Sequence, residues 1–426
     1  MYRAPGRILT VAGRRSALAP FRIRAFRYQW PADLATSWSF EMESLILGWY
    51  VLVETRSVLM LTAFASLQFI GTLISPLFGV AGDRIGHRNL LCAMRGFYAL
   101  LALTLMTFAF LEVLTPVHVF GIAALTGLVR PSDVGVRAAL VADTMPAIQL
   151  MGAMGIQRTT QDSARIAGAL SGAGLVEALG IAWAYVAVAS LYSVSVLLTL
   201  KARGTRNASK PPAPPSEQPS PWQDLRRGLS YVWSTPHLLA AMCLAFLLNM
   251  TVFPLSNGLL PYVAKEIYHT DQTGLGYMVA GVATGALIGS ITMSRKGGVA
   301  HAARVTIIAC VGWYSVLLIF AHVQTHLLGI GVLMLVGLAQ SVSQVPMAAM
   351  LLRTSDEHLR GRVMGIRMLA IYGNLPGLLL SGPLIARLGY PATATLYCTF
   401  GLTVMLLIVV RSRAHLWRRE APANAP

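Results

Sequence analysis

The stretch GVAGDRIGHR, residues 79–88, separates two long apolar runs at residues 57–78 and 89–111. Each run is long enough to cross a lipid bilayer, which takes about 20 apolar residues. Asp and Arg beside hydrocarbon are costly unless they are paired, so a charged, glycine-rich connection this short is not an ordinary loop. The stretch therefore predicts a structured turn between two membrane-spanning helices.

The composition of the chain indicates a multi-pass membrane protein. Of its 426 residues, 55% are hydrophobic and 12% are charged, and the mean hydropathy is +0.61. A soluble domain carries about 25% charged residues. The net charge of +17 comes mainly from Lys and Arg before the first apolar run and in alternate loops. This positive-inside distribution predicts contact with anionic lipids, and it argues against a nucleic-acid interface.

Twelve apolar segments are predicted to span the membrane. They lie at residues 28–51, 57–78, 89–111, 117–143, 150–178, 181–200, 238–262, 272–293, 303–322, 326–350, 363–387 and 391–410. An even number of spans places both termini on one side, and the basic loops place that side in the cytoplasm. The predicted fold class is an all-α membrane protein.

A proline-rich run at residues 202–221 divides the twelve segments into six and six. Such a run is not helical and predicts a semi-rigid linker, and residues 222–232 then follow the pattern of an interfacial amphipathic helix. The predicted units are a basic cytoplasmic tail at 1–27, a six-helix bundle at 28–200, a linker with an amphipathic helix at 201–237, a second six-helix bundle at 238–410 and a basic tail at 411–426. For the Arg-rich first tail, an organelle transit peptide is the alternative interpretation.

The turn at residues 79–88 resembles the signature between helices 2 and 3 of the major facilitator superfamily, Gly-x-x-x-Asp-Arg-x-Gly-Arg-Arg/Lys. The matching positions are Gly79, Asp83, Arg84, Gly86 and Arg88. His87 departs from the pattern, because the family usually has Arg there. The resemblance implies two six-helix bundles with the substrate path between them, and a location in the bacterial inner membrane.

The resemblance also implies a conformational latch on the cytoplasmic side. Asp83 is expected to contact the N-terminus of segment 11, at residues 359–363, where free N–H groups and the helix dipole favour an anion. The matching loop of the second half, residues 295–298, has basic charge and glycine but no Asp, so the latch is expected on one side only. The predicted latch residues are Gly79, Asp83, Arg84, Gly86, Arg88 and Arg362.

Segment 1 carries a polar stripe at a spacing of three to four residues, which places its members on one helix face. Its members are Asp33, Ser37, Glu41, Ser44 and Gly48. Glu41 lies near mid-membrane with no Arg within four residues, so it is the first candidate for proton coupling. Glu43 lies about 200° further round the helix and belongs to another face.

Segments 4 and 5 each place one carboxylate between two guanidinium groups. The triplets are Arg130, Asp133 and Arg137 in segment 4, and Arg158, Asp162 and Arg165 in segment 5. Their spacing permits pairing within each helix, and the antiparallel course of the two segments permits pairing between them. Two interpretations stay open, a substrate and proton site or a set of structural ion pairs.

The second half has little charge in its spans but carries polar and helix-breaking residues. These residues are Asn249, Pro254, Asn257, Gln340, Ser343, Gln344, Pro346, Asn374 and Pro376. The amides are candidates for the opposite wall of a cavity and the prolines for hinges, although both also serve as ordinary contacts between helices. Gly168, Gly172 and Gly174 in segment 5 predict a close helix approach.

The sequence offers no sign of an enzyme or an ATP-driven pump. It has no phosphate-binding Gly-Lys-Ser/Thr loop and no cluster typical of a metal site. Its four cysteines are far apart in the sequence and predict small buried residues rather than disulfides. We therefore expect no cofactor, no metal and no catalytic residue.

The predicted function is a proton-coupled secondary transporter that exports a lipophilic or amphipathic small molecule by alternating access. The resemblance is closest to the drug and siderophore exporters of bacterial inner membranes, and it implies a monomer that works with its substrate, protons and lipids. The alternatives are an uptake permease or lipid-moving transporter of the same fold, and a transport-inactive receptor. The predicted cavity residues are Glu41, Asp33, Arg130, Asp133, Asp162, Arg165, Asn249, Gln340, Gln344 and Asn374.

Overall fold

The computed structural model describes residues 19–202, 221–295, 302–354, 363, 366–367 and 369–411. Every regular element in these ranges is a helix, as the predicted fold class requires. The predictions for the ends of the two basic tails, for most of the proline-rich linker and for Arg362 concern positions outside the described residues.

The first half of the chain begins with a short 3-10 helix, Ala19–Arg22. Its α-helices are α1 Arg24–Thr55, α2 Val58–Leu67, α3 Ser75–Ile85, α4 His87–Phe110, α5 Pro116–Thr144 and α6 Ala147–Lys201. A 3-10 segment, Ile70–Ile74, separates α2 from α3. Predicted segment 2 is therefore an interrupted helix.

The second half begins with the predicted amphipathic helix. Its α-helices are α7 Pro221–Ser234, α8 Pro236–Thr251, α9 Leu260–Tyr262, α10 Gln272–Arg295, α11 Ala302–His322, α12 His326–Thr354, α13 Asn374–Leu388 and α14 Tyr390–Arg411. A 3-10 turn, Ala370–Gly373, precedes α13. Two π-helical turns, Pro254–Gly258 and Val263–Ile267, flank α9.

Eight helices in the described part of the chain are long and apolar enough to cross a membrane. They account for predicted segments 3 to 10 and 12, because α6 contains both segment 5 and segment 6. Segment 1 forms the 32-residue helix α1, whose charged residues lower its hydropathy. Segment 2 is interrupted, and the regular part of segment 11, α13, is only 15 residues long.

Two hairpins turn at glycines with a positive φ angle. Gly180 has a φ of 84° inside α6, and Gly389 has a φ of 79° between α13 and α14. Residues with a Cβ rarely adopt this conformation, whereas glycine adopts it at little cost. The sequence repeats Leu-Gly at both places, and the structure gives the two glycines the same role.

Prolines reshape the helix of predicted segment 7. Pro254 has no N–H and cannot continue the α-helical ladder. Further along the same segment, the backbone N–H of Leu259 donates to the carbonyl of Pro254 over 3.0 Å, and that of Tyr268 donates to the carbonyl of Val263 over 2.9 Å. These i to i+5 bonds are π-helical, a geometry often found near functional sites. The predicted hinge is therefore a locally widened helix.

Each half of the chain packs mainly within itself. In the first half α6 packs against α1 and α4, and in the second half α12 packs against α10 and α11. One large apolar cluster belongs to the first half and contains Met42, Tyr98 and Tyr185. A second contains Trp313 and Phe320 and lies mostly in the second half.

The two halves meet where α1 ends and α10 begins, which we call the closed end. Helix α6 packs against α10, and α2 packs against α13. The Lys265 ammonium donates to the carbonyl of Leu52, at the C-terminus of α1, over 3.4 Å. A methyl group added at Gly276 would lie 2.7 Å from the Cβ of Ala173. At this end the helices of the two halves therefore pack closely, with little space between their backbones.

Two of the three glycines in segment 5 bring α6 close to α1. A methyl group on Gly168 would lie 2.9 Å from the carbonyl oxygen of Trp38, and one on Gly172 would lie 3.1 Å from the Cα of Met42. The prediction of close approach fails for Gly174, because nothing lies within 4 Å of that position. The run of glycines therefore locates the contact between α6 and α1, but its last member lies outside that contact.

Replacing Gly168 with Ala is expected to destabilise the protein by overpacking the contact of α6 with α1. The added methyl group would lie 2.6 Å from the Cβ of Glu41, and overpacking costs about 1–3 kcal/mol. Gly174→Ala is the matched control on the same helix. Thermal unfolding in detergent measures both variants, and equal melting temperatures would contradict the close packing.

Candidate functional site

A cavity of about 390 Å³ lies between the two halves of the chain. This volume is within the range of sites that bind small organic molecules. The polar part of its wall comprises Glu41, Ser44, Gln68, Arg130 and Arg165 from the first half and Asn249, Asn257 and Asn374 from the second. Most of the remaining wall is apolar and includes Phe64, Phe69 and Phe253.

The structure brings together half of the residues predicted for the cavity. Those in its wall are Glu41, Arg130, Arg165, Asn249 and Asn374. The others lie elsewhere among the helices, and they are Asp33, Asp133, Asp162, Gln340 and Gln344. The polar stripe of segment 1 is divided in the same way, because Asp33 is buried inside the first half whereas Glu41 faces the cavity.

Glu41 is joined to the second half through Arg165. A Glu41 carboxylate oxygen lies 3.9 Å from the Nε of Arg165, and both side chains keep partial exposure to the cavity. The same guanidinium group donates through its Nη2 to the Oδ1 of Asn257 in the first π-helical turn. Arg165 was predicted to pair with Asp162 on its own helix. It instead contacts Glu41 of α1 and Asn257 of the second half. This chain of contacts links α1, α6 and the second half.

Arg130 is held in the cavity wall by neutral partners. Its Nη1 donates to the Oγ of Ser44 over 2.8 Å and to the Oε1 of Gln68 over 2.9 Å. Its guanidinium carbon lies 4.6 Å from the ring centroid of Phe40, a cation–π arrangement. The predicted pairing with Asp133 is absent from the contacts of the described residues, because Arg130 turns toward α1 and α2.

A buried ion-pair network lies apart from the cavity. Asp33 pairs with Arg95 of α4, lies 3.8 Å from Arg137 and accepts a 3.0 Å hydrogen bond from Gln157. Arg137 in turn pairs with Asp133 over 2.7 Å on the same helix, as its spacing predicts. Two carboxylates balance two guanidinium groups, so the network is electrically neutral and ties α1, α4, α5 and α6 together.

Glu43 lies on another face from Glu41, as its position on the helix predicts. Its carboxylate is buried and accepts a 2.9 Å hydrogen bond from the hydroxyl of Tyr192. The ring of Phe40 packs edge-on against Tyr98 and Tyr192 beside it. Glu43 is therefore enclosed among aromatic side chains of the first half and is not part of the cavity wall.

Asp162 pairs within its own helix, with Arg158 at 3.4 Å. The Arg158 side chain is 60% exposed, so this pair is far more open to solvent than the network around Asp33. The alternative of pairing between segments 4 and 5 is not observed among the described residues. The two triplets thus differ, since Asp133 is in a closed network whereas Asp162 is buried beside an exposed guanidinium group.

The amides of the second half fall into two groups. In the cavity wall, Asn374 donates to the Oδ1 of Asn249 over 3.1 Å. Elsewhere, the Oε1 of Gln344 accepts a 2.9 Å hydrogen bond from Arg367, a residue that follows the start of segment 11. Gln340 is buried, and its Oε1 has no hydrogen-bond partner among the residues that the structure describes.

The stretch at residues 79–88 forms a helix–turn–helix connection. Helix α3 ends at Ile85, Gly86 turns with a φ of 88° and α4 begins at His87. The Nδ1 of His87, the residue that departs from the family pattern, lies 2.7 Å from the Oδ2 of Asp143 at the end of α5. The structure places Asp83 in α3, and neither its side chain nor Arg362 is within the described part.

Sequence reasoning overlooked Arg95 and Arg367. Arg95 is fully buried, and Arg367 forms no ion pair with the described residues. A signal was available, because an ionisable residue within an apolar segment is a candidate for function by default. Gln68, a polar residue within segment 2, was also overlooked, although it holds Arg130 in the cavity wall.

In the described residues no cluster of His, Cys, Asp or Glu of the size needed for a metal site occurs.

The fold and the cavity between two helical halves define a membrane transporter. A model of the Major Facilitator Superfamily matches residues 34–373 and 242–425, and the chain belongs to this superfamily. Over 376 residues the chain is 25% identical to the enterobactin exporter EntS of Escherichia coli, and the match covers 85% of each protein. The family resemblance seen in residues 79–88 is thereby confirmed.

Solved transporters share the fold. The nucleoside transporter NupG superposes with a TM-score of 0.69 at 14% identity, covering 91% of this chain and 99% of its own. The POT family transporter PepTSo gives a TM-score of 0.71 at 13% identity, covering 93% and 99%. At such low identity these two structures support the fold alone.

Proposed function

We propose that the protein is a proton-coupled secondary transporter that exports a lipophilic or amphipathic small molecule from the cell. The observation that carries the proposal is the cavity between the two halves, with apolar walls and a few convergent polar groups. The similarity to an enterobactin exporter over most of both chains favours export over uptake. The cavity volume of about 390 Å³ suits one small organic molecule.

The proposed topology has twelve spans in two six-helix bundles, with both termini in the cytoplasm of a bacterial cell and the monomer as the working unit. In that orientation the closed end faces outward, because α1 runs from the cytoplasmic tail to the outer surface. We therefore infer that the described conformation is the inward-facing one. Alternating access requires the outer contacts of α2 with α13 and of α6 with α10 to open while the cytoplasmic side closes.

Glu41 is the proposed proton-coupling residue. It has the carboxylate in the cavity wall, and through Arg165 and Asn257 it is connected to the other half. Protonation removes its negative charge and weakens its attraction to Arg165. Proton exchange at Glu41 therefore alters a connection between the two halves, which is what coupling a proton to a conformational change requires.

The proposed latch residue is Asp83, on the basis of the family resemblance. In the outward-facing state its carboxylate is proposed to contact the N-terminus of segment 11, including the region of Arg362. Such a charge–dipole contact contributes about 1 kcal/mol, and up to about 2 kcal/mol when partly buried. Asp83 would then bias the conformational equilibrium without touching the transported molecule. Gly79, Arg84, Gly86 and Arg88 would shape the turn that presents it.

Flux in proteoliposomes tests the proposed function. Purified protein is reconstituted, and a panel of dyes and drugs is loaded on one side with and without an imposed pH gradient. Directed movement that depends on the gradient and stops with a protonophore is the expected result. Movement without any dependence on the gradient would contradict proton coupling, and movement of no compound in the panel would favour a receptor.

A further inference from the structure

The cavity carries more positive than negative charge. Two guanidinium groups, Arg130 and Arg165, share its wall with one carboxylate, Glu41. Glu41 lies beside Arg165 at 3.9 Å, so the charge of Arg165 is largely balanced. Arg130 has only the neutral oxygens of Ser44 and Gln68 and the ring of Phe40 as its described partners. One unit of positive charge in the cavity is thus left without a counterion.

The buried carboxylate of Glu43 does not supply that counterion. Glu43 is close enough for electrostatic attraction to Arg130, but it forms no ion pair with it. Its carboxylate is buried and is bound by the hydroxyl of Tyr192. Because Glu43 is shielded from the cavity, a ligand in the cavity meets the guanidinium group of Arg130 and not the carboxylate behind it.

The rest of the wall is suited to an apolar or aromatic body. Phe64 and Phe69 lie on the same side as Arg130, and Phe253 lies on the side of the second half. A guanidinium group at the edge of an aromatic cavity binds a planar anionic group such as a carboxylate through paired hydrogen bonds. The cavity is therefore complementary to a molecule with one negative group and an aromatic or aliphatic remainder.

A second cation without an ion pair among the described residues lies outside the cavity. Within that part of the chain, Arg367 of the second half donates to the backbone and side-chain oxygens of Gln344. It lies near enough to Arg158 of the first half for the two like charges to repel. Arg158 precedes Arg165 by two helical turns, about 10 Å along the axis of α6. Asp162 lies between these two arginines and pairs with Arg158, so the further unbalanced positive charge is that of Arg367.

We propose that the transported molecule is an amphipathic organic anion, and that Arg130 is the residue that binds its negative group. This inference rests on the proposed function and narrows its substrate class. Arg367, which has no ion pair among the described residues, supplies further positive charge that attracts the anion toward the cavity.

Binding of three dansyl compounds to the purified transporter in detergent tests the inference. Dansylglycine carries a carboxylate, dansylglycinamide is neutral and dansylcadaverine is a cation, while the aromatic body is the same. Dansyl fluorescence reports binding. The expected result is that dansylglycine binds at least roughly tenfold more tightly than either other compound, because a hydrogen bond to a charged group contributes enough for that ratio.

Variants of Arg130 connect the preference to one residue. Arg130→Gln is expected to weaken dansylglycine binding roughly 10- to 100-fold, with little change for dansylglycinamide, and Arg130→Lys is expected to restore part of the loss. Arg387→Gln removes an exposed arginine outside the cavity and is the matched control. The comparison among the three compounds needs no variant, so a folding defect in Arg130→Gln does not remove the test.

Equal binding of the three compounds, or a preference for dansylcadaverine, would overturn the inference. A loss of dansylglycine binding in Arg387→Gln equal to that in Arg130→Gln would overturn the role of Arg130. Gradient-driven flux of cations or neutral compounds would contradict the substrate class and leave the proposed transport function standing. An anion preference in binding without any gradient-driven flux would contradict the function and leave the class standing.

Discussion

Replacing Asp33 with Asn is expected to lower the free energy of unfolding by about 3–5 kcal/mol, the range for removing one member of a buried ion pair. Arg95 would lose its ion-pair partner, and Arg137 would keep only Asp133. A guanidinium group that stays buried without a counterion carries the full cost of its desolvation. Unfolding in detergent, followed by helical circular dichroism, measures the change.

Two further variants sharpen the Asp33 experiment. The double variant Asp33→Asn, Arg95→Met removes both charges and should recover much of the stability, since replacing a whole buried pair is often close to neutral. Arg158→Gln removes a partner of Asp162 that is 60% exposed, so solvent screens the lost charge and the variant should be destabilised less than Asp33→Asn. A double variant no more stable than Asp33→Asn would show that pairing with Arg95 is not the reason for the loss.

Replacing Glu41 with Gln is expected to abolish gradient-driven flux while the protein remains folded. Gln keeps the size of the side chain, but it cannot exchange a proton. The carboxylate is 30% exposed and outside the buried network, so its removal leaves no guanidinium group stranded in the interior. Flux in proteoliposomes under an imposed pH gradient is the measurement.

The control for this variant is Glu177→Gln. Glu177 is an exposed carboxylate of α6 outside the cavity wall, so its neutralisation should leave flux unchanged. If flux in Glu41→Gln stays at the parental level and still depends on pH, proton coupling belongs to another carboxylate. Asp162 is then the first alternative, because it is the next most accessible, followed by Asp33 and Asp133.

The pairing of charges was predictable from the sequence where it is local. Spacing of four residues places Asp133 beside Arg137 and Arg158 beside Asp162, and both pairs form. Spacing alone also predicted that Arg130 would pair with Asp133 and Arg165 with Asp162. Both arginines instead bind residues on other helices. A pair on one helix contributes only about 0.2–0.5 kcal/mol. A better-placed polar residue on a neighbouring helix therefore determines which partner the arginine binds.

The buried network shows why long-range contacts escape a reading of single segments. Arg95 is a lone charge in an apolar run, and its partner Asp33 lies 62 positions earlier in the chain. Nothing in either segment specifies how the helices rotate relative to each other. The turns were more accessible, because a glycine with a positive φ has a local cause, and Gly86, Gly180 and Gly389 all lie at predicted hairpins.

The distance between spin labels at both ends of the molecule tests alternating access across the cavity most directly. One pair replaces Glu54 and Gln324 at the closed end, and the other replaces Asn89 and Thr354 at the opposite end, in a variant without the four native cysteines. Distances in lipid nanodiscs are recorded at acidic and at alkaline pH. The account predicts two populations whose weights change with pH, so that one end opens as the other closes. A single unchanging distance at both ends, or two ends that open together, would contradict it.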